Sequence, residues 1–558
     1  MSSNESRHWL TSYPHGIPHD VHPDPSATIV SVLEASVKKY SSKPAFYYLG
    51  KSITYAELDF LSRTFASFLR NTLELRKGDR FAIMMPNVLQ YPIALFGALR
   101  AGLTVVNINP LYTPRELRHQ LKDSGAKAVL IIANRGHVLN EVLMGTNIEH
   151  VITTKAGDLL PFPKGMIASF VVGKKQPVTP VENSIPFKEI LKKGQQADLS
   201  SVNVNPRDIA FLQYTGGTTG DAKGAMLTHR NIVVNLEQIS AWLKTEEGTE
   251  IIITALPLYH IFALTSNCIS FVSRGGLNVL IPDARNADAF IKELRNHKFT
   301  IITGVNTLFN SLVQHPAIHK VDFSSQKMAI GGGMSVHRSV SDAWKDITGK
   351  IILEAYGLTE TSPAVTINPP DATEFSGSIG LPIPSTEVSV RDFEGNVLEN
   401  GSEGELWVRG PQVMLGYYER DEETAQAITP EGWFKTGDIA TMDDEGFVRI
   451  VDRQKDMILV SGFNVYPNEV EEVLSECPGI VEAACVGIKD ERSGEAVKVF
   501  VVAQAEGAVT REAIEKHCRE NLAAYKIPRH IEFKTELPKT NVGKILRRAL
   551  REDNQIAE

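Results

Sequence analysis

Short apolar segments alternate with amphipathic segments from about residue 27 to residue 350, and this alternation limits the possible folds more than any other feature. Apolar runs such as Phe81–Met85 and Thr104–Ile108 are short and are followed by Pro or Asn, which is typical of buried strands. Thr54 and Glu57 have the spacing of a capping box, which predicts the start of a helix. Buried strands that alternate with helices predict an α/β fold whose layers contain largely parallel sheets.

The pattern changes twice further along the chain. From Gly377 to Arg449, short strand-like runs separated by glycine turns predict a small β-rich subdomain. After Asp452–Asp456 a compact pattern of strands and helices begins again, with a strand expected at Met457–Val460. Because 558 residues exceed what one core usually holds, we predict a large N-terminal domain, residues 1–453, and a small α+β C-terminal domain, residues 454–558.

Two segments of the N-terminal domain need separate interpretation. Residues 155–205 are rich in Pro, Lys and polar residues, and we expect them to form an excursion at the surface. Ile251–Ser273 contains no charged residue and is long enough to span a bilayer. Pro257 interrupts this segment, however, and its start is typical of a buried strand that enters a loop. We therefore expect Ile251–Ser273 to belong to the core.

The composition argues against several classes of protein. A net charge of −8 disfavours a nucleic-acid partner, because binding phosphates requires a basic surface. The four cysteines are scattered without metal-ligand spacing, which predicts a reducing compartment, no disulfides and no structural zinc. The N-terminal sequence lacks the basic and then apolar pattern of a signal peptide. We therefore expect a cytoplasmic protein.

A loop rich in glycine and threonine follows the apolar run Ile209–Leu212. Its glycines allow main-chain N–H groups to approach an anion closely, and its threonine hydroxyls and Lys223 add donors and positive charge. No GK[ST] sequence follows at the Walker spacing. The pattern indicates a polyphosphate-binding loop; its candidate residues are Thr215, Gly216, Gly217, Thr218, Thr219, Gly220, Lys223 and Gly224.

This loop resembles the phosphate-binding motif of the adenylate-forming superfamily, which includes acyl-CoA synthetases, luciferases and nonribosomal peptide adenylation domains. Four further motifs that resemble those of the superfamily follow in the expected order. They are Tyr356–Glu360, Lys435–Asp438, Asp452–Asp456 with Ser461–Asn464, and Pro538–Lys544. The resemblance extends over nearly the whole chain and is strongest to bacterial long-chain fatty-acid–CoA ligases, notably at Asn109–Leu117 and Val451–Glu469.

The resemblance implies a two-step reaction in which ATP and a fatty acid form an acyl-adenylate, which then transfers its acyl group to coenzyme A. Activated fatty acids of this kind enter degradation or lipid synthesis. The resemblance implies that Glu360 and Thr215 hold Mg²⁺, a role that suits oxygen ligands beside substrate phosphates. The implied nucleotide contacts come from Tyr356, Thr359, Asp438, Arg453, Gly331 and Gly332.

The C-terminal motifs carry the implied catalytic lysine and a moving part. Lys544 matches the lysine that bridges the carboxylate and the α-phosphate, whereas the neighbouring arginines are expected to be solvated. The resemblance implies a mobile C-terminal domain that rotates about Lys455. After this rotation the loop with Ser461, Gly462 and Phe463 would face the coenzyme A thiol.

The segment around His260 bears on the acyl substrate. A lone histidine beside apolar residues is more often a core group, but the resemblance implies that His260 flanks the acyl site and serves catalysis. Its neighbours Tyr259, Ile261 and Phe262 would leave the ammonium group of an amino acid unpaired, which disfavours such a substrate. Some long-chain members have a gating tryptophan nearby, where this chain has Leu264, so the control of chain length stays open.

Three alternatives remain beside a long-chain ligase. The acid could be of medium length or aromatic, the acceptor could be a carrier protein, or the chain could be an inactive binding module. Retention of Lys223, Glu360, Asp438 and Lys544 argues against the last. Because long-chain acids partition into bilayers, we also expect reversible, peripheral contact with the inner face of a membrane. A homodimer is compatible with the sequence.

Overall fold

The computed structural model describes residues 7–175, 177–193, 202–215, 222–490, 492–540 and 543–556, and these residues form four β-sheets with surrounding helices. The strands of the two large sheets are β1 (Pro44–Tyr48), β2 (Lys51–Thr54), β3 (Arg80–Met84), β4 (Thr104–Ile108), β5 (Ala128–Ile132), β6 (His150–Thr154), β7 (Ile185–Pro186), β8 (Ile209–Tyr214), β9 (Gly224–Thr228), β10 (Ile251–Thr254), β11 (Leu277–Leu280), β12 (Ile301–Gly304), β13 (Met328–Gly332), β14 (Ile352–Gly357), β15 (Ala364–Ile367) and β16 (Leu381–Pro382). The two smaller sheets contain β17 (Glu387–Arg391), β18 (Gly404–Arg409), β19 (Phe434–Met442), β20 (Val448–Arg453), β21 (Ile458–Val460), β22 (Phe463–Val465), β23 (Ile480–Asp490), β24 (Gly494–Ala503) and β25 (His530–Phe533).

The α-helices pack on both large sheets and around the last one. They are α1 (Ile29–Tyr40), α2 (Tyr55–Asn71), α3 (Gln90–Arg100), α4 (Pro114–Ser124), α5 (Gly136–Asn140), α6 (Lys164–Lys175), α7 (Phe187–Lys193), α8 (His229–Leu243), α9 (Ser270–Ser273), α10 (Ala287–Asn296), α11 (Asn306–Val313), α12 (Arg338–Thr348), α13 (Asp421–Ala427), α14 (Pro467–Ser475), α15 (Arg511–Asn521) and α16 (Arg547–Ile556).

The two large sheets confirm the α/β fold and its largely parallel strands. One has the order β7-β6-β5-β3-β4-β8-β9, and only its β8–β9 pair is antiparallel within the described residues. The other has the order β16-β15-β14-β13-β12-β10-β11-β1-β2, with antiparallel pairing confined to its two ends. The predicted capping box opens α2, because the Thr54 side chain accepts from Glu57 N–H and the Glu57 carboxylate accepts from Thr54 N–H at 2.7 Å.

The smaller sheets confirm the β-rich subdomain and the compact α+β C-terminal region. Strands β17 to β20 pair antiparallel in chain order. Strands β21 to β25 form a sheet whose apolar residues, with those of α14 and α15, make a core drawn entirely from residues after Met457. The boundary between residues 453 and 454 stays a prediction; in the structure it falls where β20 ends at Arg453.

Two local expectations are wrong. The sequence Tyr356-Gly357 before Glu360 predicts a turn, but β14 extends through both residues by pairing with β15. Residues 155–205 are not only a surface excursion, because Phe187 of α7 is fully buried in the main core. Ile251–Ser273 is a core segment as expected: the strand β10 enters a loop at residues 255–260, and the segment then continues as a π-helix, Phe262–Ile269. Within the part of the chain described, the search for a helix with the length and hydropathy to cross a bilayer finds none.

Candidate active site

A cavity of about 1650 Å³ lies where the large sheets, the β-rich subdomain and the C-terminal region meet. Strand ends and the loops after them supply polar lining, and the segment that follows β25 adds Lys539, Thr540 and Lys544. The predicted site residues that line it are Thr215, Lys223, His260, Gly332, Tyr356, Thr359, Glu360, Asp438, Arg453, Lys455 and Lys544. Residues separated by more than 300 positions in the sequence are therefore brought to one cavity.

The polyphosphate loop joins the antiparallel strands β8 and β9. Its two ends are held together by the N–H of Thr215, which donates to the carbonyl oxygen of Lys223 at 3.0 Å. Gly224 is buried, and a Cβ there would lie 3.2 Å from the ring of Tyr214, so a small residue suits this close pairing. Gly216, Gly217, Thr218, Thr219 and Gly220 lie outside the described residues.

Helix α4 contacts both ends of this loop. At one end, the hydroxyl of Tyr214 donates to Asp123 at 2.7 Å, and Arg420 donates to the other oxygen of Asp123 at 2.5 Å. At the other end, Nε2 of His119 lies 2.9 Å from the carbonyl oxygen of Ala222 and donates to it. The loop is thus fixed to a rigid element at its base.

Glu360 lies on a short 3₁₀-helix after β14, and Tyr417 holds its side chain. The hydroxyl of Tyr417 donates to Oε1 of Glu360 at 2.8 Å, and the N–H of Met414 donates to the Glu360 carbonyl oxygen at 2.8 Å. The ring of Tyr417 also lies 5.3 Å from Nζ of Lys223, within the range of a cation–π contact. Burial raises the pKa of the Glu360 carboxyl group. The hydrogen bonds of the carboxylate therefore do not fully offset the cost of removing its charged form from water.

Sequence reasoning missed Tyr417. Its segment, residues 414–418, pairs with β9: Leu415 N–H donates to Met226 O, Met226 N–H to Gly416 O, and Tyr418 N–H to Gly224 O. The two paired segments are nearly 200 residues apart in the sequence, and their pairing places the Tyr417 ring between Lys223 and Glu360. A Gly-Tyr-Tyr sequence carries no local signal of such a contact.

Three of the predicted nucleotide-binding residues form one cluster. Asp438 and Arg453 are opposite each other on β19 and β20, and Nε of Arg453 lies 3.1 Å from the Asp438 carboxylate. The hydroxyl of Tyr356 donates to the other oxygen of Asp438 at 2.6 Å. The charge of Asp438 raises the pKa of Arg453, and burial together with Asp438 raises the pKa of Tyr356. The carboxylate of Asp438 therefore accepts from two donors, Arg453 and Tyr356.

Gly331 and Gly332 close β13 and allow close packing behind the cavity. A Cβ at Gly331 would lie 2.5 Å from Val336, and one at Gly332 would lie 3.0 Å from the ring of Phe262. Beside them, Oε1 of the buried Glu354 accepts from Val336 N–H at 3.0 Å. Oε2 of Glu354 has no hydrogen-bond partner among the described residues, and burial raises the pKa of this carboxyl group to about 8. Glu354 was also missed from the sequence.

His260 lines the cavity as a neutral side chain. Its Nδ1 accepts from the N–H of Phe262 at 3.3 Å, which leaves the proton of the neutral ring on Nε2. Burial, and then the charge of Lys544, lower the pKa of His260 to about 3. Leu264 is fully buried in the core one turn further along. An uncharged His260 cannot act as a cationic partner for a carboxylate at neutral pH.

Lys544 reaches the cavity from the C-terminal region. Its backbone is held by a turn in which Thr540 N–H donates to the Lys544 carbonyl oxygen at 2.6 Å, and its Cε would lie 3.2 Å from a Cβ at Gly333. Thr307 of α11 donates to the Gly543 carbonyl oxygen at 3.2 Å, which ties this turn to the large domain. Burial, and then the charge of Arg453, lower the pKa of Lys544 to about 8.

The expectation that the C-terminal arginines are solvated is wrong for Arg547 and Arg551. Arg547 lies 2.7 Å from Glu471 and 3.5 Å from both Asp452 and Asp456. Arg551 lies 2.8 Å from Asp456. These contacts tie α16 to α14 and to the residues beside the predicted hinge.

The predicted hinge residue Lys455 lines the cavity, whereas the predicted coenzyme A–facing loop is not part of its lining among the described residues. Lys455 lies on a short 3₁₀-helix, Gln454–Asp456; the residue as a whole is exposed, but partial loss of solvation at its ammonium group lowers its pKa. Ser461 and Gly462 form the turn between β21 and β22, where both have positive φ. Phe463 stacks on Tyr525 with 4.9 Å between ring centroids, and all three loop residues are exposed.

The lining of the same cavity also has an apolar part. It consists of side chains from α8, β10, α9, β12 and β13, namely Ile239, Leu243, Ile252, Phe271, Ile301 and Ile330. These side chains belong to the hydrophobic core. The fold and this site define a nucleotide-binding enzyme whose cavity is lined by both polar and apolar side chains.

Comparisons with known proteins identify the family. Residues 33–418 match the family model described as AMP-binding enzyme, and residues 469–544 match the AMP-binding enzyme C-terminal domain. The long-chain-fatty-acid–CoA ligases of Yersinia pestis and Escherichia coli O157:H7 are each 52% identical over 550 residues, 98% of both chains. The chain belongs to the AMP-binding enzyme family, as the sequence motifs predicted.

Solved structures agree with this fold. The anthranilate CoA ligase AuaEII in complex with anthranoyl-AMP superposes with a TM-score of 0.85 at 24% identity, over 96% of this chain and 98% of that one. A benzoate CoA ligase from Burkholderia xenovorans LB400 gives a TM-score of 0.81 at 27% identity, over 94% of this chain and 100% of that one. The predicted arrangement of a large α/β domain and a small C-terminal domain is confirmed.

Proposed function

We propose that this enzyme joins a long-chain fatty acid to coenzyme A, with ATP cleaved to AMP and pyrophosphate and an acyl-adenylate as the intermediate. One observation carries the proposal: the cavity that Lys544, Tyr356 and Asp438 line is also lined by apolar side chains, among them Ile252, Ile301 and Ile330. An acyl chain packed against these apolar side chains would present its carboxylate to Lys544. Full-length relatives named long-chain-fatty-acid–CoA ligase support the same reaction.

In the first step a carboxylate oxygen attacks the α-phosphorus of ATP, the bond to the bridging oxygen breaks, and pyrophosphate leaves. Both reactants are anions, so the site must position them and neutralise charge. Lys544 is suited to lie between the carboxylate and the α-phosphate, while Tyr356, Asp438 and Arg453 hold the nucleoside. Thr359 and the loop from Thr215 to Gly224 face the phosphates.

The residues present suit Mg²⁺, and Glu360 with Thr215 would hold it. When bound, Mg²⁺ neutralises charge on the phosphate oxygens. The raised pKa of Glu360 supports this assignment, because the carboxylate is buried with less compensation than an ionised group needs. One carboxylate and one hydroxyl suffice, since Mg²⁺ usually keeps waters and substrate phosphates as its other ligands.

In the second step the coenzyme A thiolate attacks the carbonyl carbon of the acyl-adenylate, and AMP leaves. With Lys544 in the cavity, the loop of Ser461, Gly462 and Phe463 is exposed to solvent. Rotation of the C-terminal domain about Lys455 would withdraw Lys544 and bring this loop to the thiol. Two different reactions would then use one cavity in turn.

The acid is proposed to be long and apolar. Around His260 the sequence Leu256–Leu264 contains no acidic residue that could pair with an α-amine, and His260 is neutral. Each methylene that enters an apolar region contributes about 0.8 kcal/mol. Because such acids partition into bilayers, reversible contact of the enzyme with a membrane surface forms part of the proposal.

Pyrophosphate release, measured over a series of acids, tests this function. With C4, C8, C12, C16 and C18 acids, kcat/KM for acid-dependent pyrophosphate release should rise steeply toward about C12–C18. An aromatic acid such as ferulate is the matched comparison. Equal kcat/KM for butyrate and palmitate, or a preference for the aromatic acid, would contradict the assignment of the substrate. The same assay with coenzyme A or an acyl carrier protein identifies the acceptor.

A further inference from the structure

Helix α6 carries large apolar side chains on the outside of the molecule. Five residues of this segment are exposed. The exposed fraction of the residue is 82% for Phe162, which lies just before the helix, and 64% for Met166, 57% for Ile167, 72% for Phe170 and 52% for Val171. Within the helix, Met166, Ile167, Phe170 and Val171 recur at spacings of three and four residues, which puts them along one broad side of the helix. We call these five residues the α6 patch. A contiguous exposed apolar surface of this kind indicates an interaction site.

The opposite side of α6 is attached to the protein through its smallest residues. A Cβ at Gly165 would lie 2.5 Å from the carbonyl oxygen of Gly157, and one at Gly157 would lie 1.9 Å from the carbonyl oxygen of Gly165. Soluble helices usually bury their large apolar side chains and expose polar ones. Here the close Gly157–Gly165 contact turns the large side chains outward, so the orientation is fixed by packing.

The charge of this segment is positive. Lys164 and Lys174 belong to α6, and no acidic residue occurs from Leu159 to Val181. The whole chain, in contrast, has a net charge of −8. A cationic helix with an apolar side suits a surface that is apolar below and anionic above, which describes a bilayer with anionic headgroups.

We propose that the α6 patch is the surface through which this enzyme docks on an anionic lipid bilayer. The apolar side chains enter the headgroup boundary and the lysines lie at the level of the lipid phosphates. Five apolar side chains with Lys164 and Lys174 give weak, reversible attachment. The inference rests on the proposed function, because long-chain acids partition into bilayers, but the contact itself requires no catalysis.

Vesicle co-sedimentation of the full-length protein tests the surface. We expect binding to vesicles of phosphatidylglycerol and phosphatidylcholine, with about tenfold weaker binding to phosphatidylcholine alone or in 1 M salt. Phe162→Ser combined with Phe170→Ser should lower the vesicle partition coefficient about tenfold or more. Lys174→Glu should lower it on anionic vesicles and leave binding to neutral vesicles unchanged.

The matched control is Phe393→Ser, because Phe393 is equally exposed (69%) in the turn between β17 and β18. Its vesicle binding should stay within about twofold of the parent protein. Adenylate formation from decanoate, supplied in solution without vesicles, should be unchanged in every variant, which shows that the cavity is intact. If the double variant loses this activity, Met166→Gln with Val171→Gln repeats the test at the same surface.

Three results overturn the proposal. The first is vesicle binding that the α6 variants leave unchanged. The second is a molar mass in solution that falls from dimer to monomer in the α6 variants, since the patch would then contact a second copy of the chain. The third is equal binding to anionic and neutral vesicles. Failure of the parent enzyme to activate any fatty acid would contradict the proposed function, whereas the vesicle-binding results would still decide whether the α6 patch binds a bilayer.

Discussion

The hydroxyl of Tyr417 donates a 2.8 Å hydrogen bond to Oε1 of Glu360, and the Tyr417 ring lies 5.3 Å from Nζ of Lys223. One side chain thus links the polyphosphate loop to the proposed metal ligand. The segment of Tyr417 is itself bonded to β9 through its backbone. Tyr417 is therefore placed to set the distance between Lys223 and Glu360.

Tyr417→Phe should weaken the use of Mg²⁺ more than the use of ATP. The variant keeps the ring beside Lys223 but removes a hydrogen bond to an ionised group, which is worth about 1.5–3 kcal/mol. Half-saturation for Mg²⁺ in pyrophosphate release should rise about tenfold, and binding of Mn²⁺ with a nonhydrolysable ATP analogue should weaken in parallel. The neighbouring Tyr418→Phe is the control. Equal effects of the two substitutions would show that Tyr417 only packs.

Lys544→Ala should impair adenylate formation and spare the second step. A fixed charge aimed at a reacting phosphate is worth about 10²–10³ in rate. Pyrophosphate release should fall by about that factor, while transfer from supplied acyl-AMP to coenzyme A should stay within about threefold. Lys539→Ala, which removes a lysine paired with Glu482, is the control. If both half-reactions fall equally, Lys544 has a structural role.

The pH dependence of the first step should reflect Lys544. Burial lowers its pKa to about 8, so its charge is present below that pH and is lost as the pH rises through it. Arg453 and Lys455 oppose the charge, while Asp438 and Glu360 favour it. For the free enzyme, kcat/KM for pyrophosphate release should therefore decline above about pH 8. Lys544→Arg should move this decline upward, because a guanidinium stays charged; an unchanged profile would assign the decline to another group.

The regular parts of the fold could be predicted because their signals are local. Strand β4 occupies the predicted residues Thr104–Ile108, and α2 begins directly after the Thr54 capping box. The predictions from sequence were wrong where a structural element is set by pairing with another strand rather than by its own residues. Strand β14 continues through Tyr356 because β15 pairs with it, although a Tyr-Gly sequence alone is typical of a turn.

The residues of the candidate site also fall into two groups, those that a sequence motif identifies and those that only the folded structure identifies. Motif residues such as Asp438 and Lys544 line the cavity and could be named from the sequence. Tyr417 and Glu354 could not, since their positions depend on long-range pairing and on burial. Arg547 was wrongly expected to be solvated, because its partners Asp452 and Glu471 come from different elements.

Lys455→Pro should separate the two half-reactions. Lys455 lies in the 3₁₀-helix Gln454–Asp456, and φ in such helices is near −50 to −70°, which proline also adopts. Proline should therefore favour the present arrangement, in which Lys544 reaches the cavity. A hinge residue must change φ and ψ substantially during rotation, and proline opposes that change. Pyrophosphate release should survive within about tenfold, while thioester formation falls much further.

Lys455→Ala is the matched control for the backbone, because it removes the same ammonium group and leaves φ free. Its thioester formation should decline much less than that of Lys455→Pro, since the rotation depends on the backbone and not on the side chain. Both half-reactions are measured separately, by pyrophosphate release and by transfer from supplied acyl-AMP to coenzyme A. Similar behaviour of the proline and alanine variants would mean that the charge of Lys455 matters and its φ does not. A joint collapse of both half-reactions in Lys455→Pro would place the pivot elsewhere and make residue 455 a structural position.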